Sequence, residues 1–480
     1  MQRCTNLQTG PPMSSNTADE QPLASPARPL RVAIVGSGPA GFYAAEWLFK
    51  AKELAVEVDL YERFPAPFGL VRFGVAPDHQ KIKRVSAAFE RTAQHPGFRF
   101  LGNVNVGVDI SAGELKKHYD QVVYAYGSAT DRRLGVAGED SGGSHPATAF
   151  VGWYNGHPDF VTERFDLSCE RAVVVGMGNV AMDVTRVLIR SSDELANTDI
   201  APYALDALRT SRISEIVLLG RRGPAQAAFD QGELQDIAEL AGVDVIVDRE
   251  HALAAVEESA SLDAAARKNA AYMAELANRG STGAPRRVVL KFLVSPVELL
   301  AEADRVVGVK IEHNELVRRP DGSASARGTG RHEVLPAGMV MRSIGYQGTA
   351  LPGVPFDERT SVIPNVEGRV TESKGGAVIP GVYAVGWIKR GPTGLIGTNK
   401  NDAKETADRM LEDIPRLEPA ADEHRSRAAV DRLLADRGVR VISFADWRRI
   451  DAAELAAGKP LGKVREKFCS AEAMLAALKD

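Results

Sequence analysis

The stretch RVAIVGSGPAGFYAAEWLFK, residues 31–50, decides the fold. Its apolar run at 32–35 predicts a buried strand, and residues 42–48 predict a helix. Between them Gly36, Gly38 and Gly41 stand at GxGxxG spacing. Gly36 permits the tight turn, Gly38 lets backbone approach a pyrophosphate, and Gly41 lets helix and strand pack closely. The helix N-terminus then faces the phosphates. Working outward, a second strand VEVDLYE ends in Glu62, where an acid suits the ribose hydroxyls of an adenosine.

A second copy of the pattern lies at RAVVVGMGNVAMDVTRVL, residues 171–188. Here Gly176 and Gly178 are followed by Ala181, the GxGxxA form, and an amphipathic helix. Two such turns in one chain imply two dinucleotides and electron transfer between them. The next strand, EIVLLGRR, ends differently, in Arg221 and Arg222. Guanidinium forks match phosphate, so this tip suits a 2′-phosphate where an acid would repel it. The first site therefore reads as one for FAD and the second as one for NADP. The separation from Gly176 to Arg221 exceeds the ~20 residues usual for this partner. Residues 191–212 read as the extra length.

Other segments are read more coarsely. Residues 63–85 form a glycine- and proline-rich loop with aromatic and basic residues, fit to line a flat ring. His79 is its one group that titrates naturally near neutrality. VVYAYGS at 122–128 suits another strand of the nucleotide-binding sheet. QGELQDIAEL, 231–240, predicts a helix, and acids in its first turn are ordinary dipole complements. Residues 251–280 read as one helical stretch, 318–333 as a flexible hairpin loop, and 339–348 as a buried strand. VYAVGWIKRGPTGLIGTNK leads from a strand through glycines into a helix start able to hold a flavin edge and phosphates. The last seventy or so residues predict helices.

Composition excludes several classes. The 480 residues carry 44% hydrophobic content and a net charge of −4, enough for a large core and unlike a nucleic-acid binder. The three cysteines, Cys4, Cys169 and Cys469, lie far apart. Neither a disulfide framework, a zinc site nor a redox-active dithiol follows from them. No stretch reaches the roughly eighteen uncharged apolar residues of a membrane helix. Residues 1–29 read as a disordered tail rather than a secretory signal. A cytoplasmic monomer is expected.

Together GSGPAGFYAAE, PFGLVRFGVAPDH, GMGNVAMDV, GRRGP and VGWIKRGPTGLIGTNK resemble the adrenodoxin-reductase-like family of ferredoxin–NADP⁺ reductases, from about residue 30 to the C-terminus. The resemblance implies an α/β fold with two Rossmann-like units, the NADP unit inserted into the FAD unit. Residues 30–131 and 348–480 would form the FAD unit and 132–347 the NADP unit. Ala40, Glu62, Leu70, Val106, Trp387 and Gly394, Leu395 and Ile396 would hold FAD. Pro39, Gly69 and Gly386, inside the quoted motifs, are counted with them. Met177, Gly178, Asn179 and Val180 would hold the NADP pyrophosphate, Arg221 and Arg222 the 2′-phosphate, and Glu233 more of the nucleotide. His79 and Asp236 would sit near the nicotinamide. Position 177 departs from the family's usual polar residue, and ELQD replaces its ELRE, which shortens the acid at 236 by one methylene. The implied activity is electron transfer from NADPH through FAD to a ferredoxin-type iron–sulfur protein, met transiently and steered by Arg72, Lys81, Lys83 and Arg84. The readings left beside it are a flavin subunit of a glutamate-synthase-like complex, a flavin monooxygenase, and a non-catalytic redox-sensing module.

Overall fold

A computed structural model describes residues 22–259, 262–320 and 324–479, so most of the expected tail lies outside the described residues. Its last part does not behave as a tail. Ala24 is buried, its carbonyl accepts from the Ala55 amide, and the Pro29 carbonyl accepts from Arg425.

The chain opens with β1 (Leu30–Val35), buried at every position, then α1 (Pro39–Phe49) and β2 (Val56–Glu62). β3 (Phe98–Gly102) and β4 (Gln121–Tyr124) follow. β1 carries a near-continuous apolar run because both faces of a parallel sheet are covered. The chain then leaves this sheet for a second one. Its strands are β5 (Ser144–Pro146), β6 (Arg171–Val175), β7 (Glu215–Gly220), β8 (Val243–Val247) and β9 (Arg286–Phe292). Helices α2 (Asn179–Ile189) and α3 (Gln231–Ala238) pack on it. β10 (Val294–Glu302), β11 (Arg305–Arg318) and β12 (Ala324–Pro336) make an antiparallel three-stranded sheet, and β13 (Met339–Arg342) returns to the second sheet. Finally β14 (Asn365–Val366), β15 (Arg369–Thr371) and β16 (Val378–Ala384) rejoin the first sheet, and α4 (Thr398–Asp413) packs on α1.

The first sheet has the order β14-β15-β16-β4-β1-β2-β3 and the second β5-β13-β6-β7-β9-β8. In the first, β16, β4, β1, β2 and β3 are mutually parallel, and every pair in the second is parallel. β4 and β16 are neighbours in space, yet the whole second sheet lies between them in sequence. This is the expected α/β architecture of two doubly wound units, one inserted in the other. The two crossings of the chain pair as a short ribbon, Tyr346 with Asp131 and Gln347 with Thr130.

Several local expectations change. The stretch 251–280 is two helices, Arg249–Ser259 and Ala264–Arg279. The excursion at 318–333 is mostly strand: β12 pairs with β11 from Gly308↔Pro336 to Arg318↔Ala324. Its polar, glycine-bearing sequence hid a strand whose side chains are largely exposed. Residues 191–212 hold two short helices, Ser192–Ala196 and Pro202–Arg209, which account for the long separation before Arg221. The C-terminal segment reaches back across both units. Lys467 Nζ donates to the Arg72 and Asn155 carbonyls at 3.1 Å each and pairs with Asp199 at 3.1 Å.

Asp131 in the crossing ribbon is largely buried and accepts from the Thr148 amide at 3.3 Å. Burial pushes its carboxyl up to about 7 from 3.8. The folded state therefore holds the extra proton between those values, and this group's contribution to stability rises as pH falls through that window. Asp131→Asn is expected to stabilise the protein at pH 8 by about 1–3 kcal/mol, with the gain gone near pH 4. Denaturant unfolding of both proteins at the two pH values checks it, and an equal difference at both would refute it.

Candidate functional site

The first glycine turn is shaped by close contacts. Gly36 has φ +108°, and a Cβ there would lie 2.7 Å from the Ala125 carbonyl oxygen. A Cβ on Gly41 would lie 2.2 Å from the Gly36 oxygen. Gly38, by contrast, faces open space. Gly38 also precedes α1, whose first amides receive no side-chain cap, and Pro39 opens the helix without needing an N–H partner. The loop after β2 folds over this turn: the Phe68 amide donates to the Ser37 carbonyl at 3.0 Å, and Gly69 takes φ +48°. Leu70 follows, partly exposed. Glu62 ends β2 beside the turn and accepts from the Ser37 hydroxyl at 2.6 Å and amide at 3.3 Å and the Phe64 amide at 3.2 Å. Burial raises its carboxyl pKa against those donors. Val106 is buried below in the apolar cluster that also holds Val35 and Tyr61.

The far end of the chain completes this side. Gly386 has φ +77°, and a Cβ on it would lie 2.6 Å from the Ala40 Cβ. Its amide donates to Asp402 of α4 at 2.5 Å. Trp387 lies 5.3 Å from Tyr346 between ring centroids and donates to the Thr393 carbonyl. Gly394 and Leu395 are exposed and Ile396 half-buried. Gly397 faces open space at the start of α4, whose N-cap also lacks a side-chain hydrogen bond. Two uncapped helix starts and two open glycines thus meet along one edge, a cradle suited to a dinucleotide.

The second turn repeats the plan. Gly176 has φ +132°, and a Cβ there would lie 2.1 Å from the Ser343 carbonyl oxygen. Gly178 faces open space before the uncapped start of α2. Met177 and Val180 pack against the core, which explains why an apolar residue is tolerated at 177. Asn179 exchanges hydrogen bonds with Asp230 at the start of α3, 3.0 and 2.8 Å. At the tip of β7 the backbone of the arginine pair is pinned. Asn314 donates to the Arg221 carbonyl and the Leu293 amide to that of Arg222. Neither guanidinium has an ion-pair partner among the described residues, and burial together with Arg221 pushes Arg222 below its ordinary pKa. Two adjacent uncompensated cations form a site that an anion stabilises.

Between the two turns lies a cluster from three segments. His79 Nε2 stands 3.4 Å from Asp236 Oδ2 and 3.8 Å from Glu233 Oε2, both on α3. Its Nδ1 is 3.8 Å from Asp183 Oδ1 on α2. Burial pushes Asp183 up to about 6 and also raises Glu233. Asp78, next to His79, is held below its ordinary pKa by Arg186 in spite of burial.

Residues 30–261 match the pyridine nucleotide-disulphide oxidoreductase family. NADPH-ferredoxin reductase FprA of Mycobacterium tuberculosis is 46% identical over 459 residues, 93% of this chain and 99% of that one. The mitochondrial NADPH:adrenodoxin oxidoreductase of Homo sapiens is 40% identical over 480 residues, 97% of this chain and 95% of that protein. The solved structure of the M. tuberculosis protein in complex with NADPH superimposes with a TM-score of 0.90 at 45% identity, covering 94% of this chain and all of that one.

The chain belongs to the adrenodoxin-reductase-like family of ferredoxin–NADP⁺ reductases.

Within this family fold the structure brings together His79 and Asp236, which the family resemblance singled out, and adds three residues that sequence reading passed over: Asp78, Asp183 and Arg186. A signal for two of them was present. α2 is otherwise apolar on its inner face, yet Asp183 and Arg186 stand three apart on it. Two proposed steering cations are corrected. Arg72 is buried and doubly bonded to Glu454 at 2.9 and 2.5 Å, and Lys83 is bonded to Asp199 at 2.7 and 2.8 Å. Both are committed internally, whereas Lys81 and Arg84 are exposed. The described cysteines, Cys169 and Cys469, are both free.

The open glycines offer a separation of folding from binding. Gly38→Ala and Gly178→Ala each add a methyl where no atom lies within 4 Å, at φ of −73° and −110°. Each is expected to change stability by less than ~1 kcal/mol. Each should nevertheless weaken its dinucleotide about tenfold or more, because the methyl occupies the pyrophosphate's approach. Thermal unfolding, flavin retention for Gly38→Ala and NADPH affinity for Gly178→Ala check this. A large loss of stability with unchanged affinity would refute it.

Proposed function

We propose that this chain oxidises NADPH and delivers the electrons singly to a ferredoxin-type iron–sulfur protein, using FAD and NADP(H) as cofactors. The observation that carries the assignment of the two sites is the contrast at the two strand tips: Glu62 beside the first turn, and Arg221 and Arg222, without ion-pair partners among the described residues, beside the second. A carboxylate favours ribose hydroxyls and repels a 2′-phosphate; two guanidinium forks do the reverse. In this reading residues 30–131 and 348–480 make the FAD unit and 132–347 the NADP unit. The interleaving of β4 and β16 around the second sheet supports that division.

Bound FAD supplies the exchange between a two-electron hydride donor and a one-electron acceptor. The protein's own part is placement. The amides opening α1 and α4, with Gly38 and Gly397, hold the FAD phosphates, and Glu62 holds the adenosine ribose. Leu70, Val106, Trp387 and Gly394–Ile396 border the flavin. The amides at Gly178–Val180 hold the NADPH pyrophosphate, and Arg221 and Arg222 the 2′-phosphate. His79, with Glu233 and Asp236, orients the nicotinamide by hydrogen bonding, which fixes the approach of reacting atoms. Exposed Lys81 and Arg84 steer an acidic iron–sulfur partner. No helix among the described residues is long and apolar enough to cross a membrane; we read the protein as cytoplasmic and monomeric.

An anaerobic titration is expected to bleach the flavin at much lower NADPH than NADH concentration. Arg221→Ala and Arg222→Ala should each raise the KM for NADPH about 10–100-fold, the worth of a charge-assisted hydrogen bond, and leave that for NADH nearly unchanged. Equal losses with both nucleotides would remove the 2′-phosphate assignment.

A further inference from the structure

Arg186 is on α2 with 1% of its side chain exposed. Its guanidinium donates to carboxylates on three segments. Asp78, in the loop after the first unit's turn, accepts at 2.7 and 3.2 Å. Asp183, one turn back on α2, accepts at 2.5 Å, and Glu233 on α3 at 2.8 Å. Arg190 adds a second cation on Asp78 at 2.5 Å.

The choice of oxygens is informative. Arg186 binds Asp183 through Oδ1 and Glu233 through Oε2. These are the same two oxygens that stand 3.8 Å from Nδ1 and Nε2 of His79. The imidazole thus lies between two carboxylates whose facing oxygens are fixed from behind by one guanidinium. That guanidinium is in turn anchored on Asp78, the residue before His79 in the chain. We propose that Arg186 is the positioning residue of this site: through Asp183 Oδ1 and Glu233 Oε2 it sets where the His79 ring stands, and through Asp78 it ties that place to the join between the two units.

The inference rests on the reading that His79 lies beside the nicotinamide, and it deepens that reading. Arg186 acts through the acids and not by touching either nucleotide. Its charge matters as well as its shape. From α3, Asp236 adds a further carboxylate to the ring. From other segments Lys83 favours the ionised form of Asp183 and Asp78 opposes it, while the buried phenols of Tyr154 and Tyr346, their pKa raised by burial and by the charge of Asp183, face it uncharged. Arg186 is the cation in direct contact with both Asp183 and Glu233. Without it both carboxyls take up protons at higher pH, because an opposite charge at hydrogen-bond distance is what favours their ionised form.

The test uses the FAD-loaded parent and its Arg186→Met and Arg186→Lys variants, with ferricyanide as acceptor, from pH 5.5 to 9. Flavin content and melting temperature are recorded alongside. Arg186→Met is expected to lower kcat about tenfold or more, with the KM for NADPH changed much less. It should also move the acidic limb of the kcat–pH profile up by about one unit. Arg186→Lys keeps the charge but not the fork, so it should restore the limb and leave kcat low. A merely structural arginine would lower flavin content and melting temperature and leave the limb in place. Flavin-loaded variants with the parent's kcat and limb would overturn the inference. If Arg186→Met does not retain flavin, Arg186→Lys decides alone: kcat within twofold of the parent overturns the proposal, and a loaded protein with depressed kcat and unmoved limb supports it. A parent that reduces ferricyanide with neither nucleotide would instead sink the assigned function, a result distinct from an active parent indifferent to Arg186.

Discussion

A buried guanidinium cannot be left without counter-charges, and in this protein those of Arg186 come from both units. Breaking a buried pair by removing one partner costs about 3–5 kcal/mol, since the survivor stays charged in a poor dielectric. The first unit must therefore bring Asp78 to within bonding distance of α2, and α3 must bring Glu233 to the same place. The join between the sheets is built this way more than once. Asp199 of the second unit takes Lys83 and Lys467 of the first. Ionic contacts of fixed geometry hold an angle between two bodies more narrowly than apolar surfaces that can slide, because each hydrogen bond has a direction as well as a distance.

On either side of that join the same backbone device appears twice with opposite charge at its tip. In both turns the first glycine has positive φ and presses on a neighbouring carbonyl, and the glycine two positions on opens to solvent. The backbone part is indifferent to which dinucleotide comes. In the proposed reading, discrimination is left to the residues at the end of the next strand, Glu62 in one case and the arginine pair in the other. Their settings differ accordingly. Glu62 is half-buried and furnished with three donors, whereas the arginines are held by their backbone carbonyls and have no side-chain counter-ion among the described residues.

The parts visible in the sequence are those with short-range causes. Glycine spacing, apolar runs and the residue closing a strand are local features of the chain, and from these both turns, Glu62 and the arginine pair can be read. The cluster around His79 was only half visible. His79 and Asp236 stood out through a family resemblance, while Asp78 and Glu233 reach Asp183 and Arg186 only after three segments distant in sequence fold together. Burial of charge misled in the other direction. Arg72 and Lys83 read as surface cations because their partners, Glu454 and Asp199, lie far along the chain. The strand β12 was hidden because an exposed strand rich in glycine and arginine carries little alternation to detect.

The insertion of one sheet between β4 and β16 has a consequence for assembly during synthesis. The inserted unit is continuous in sequence and can close its own parallel sheet as soon as β13 emerges. The host sheet cannot: β4 pairs with β1 on one side and lacks a neighbour on the other until β16 is made. The unit that begins first is thus the unit that finishes last, and its long-range pairings carry the larger loop-closure penalty. The ionic join at Arg186 and Asp78 does not have that delay, since both partners are complete well before β16. It can therefore dock the finished inserted unit against an unfinished host and shorten the search by which β16 finds its edge.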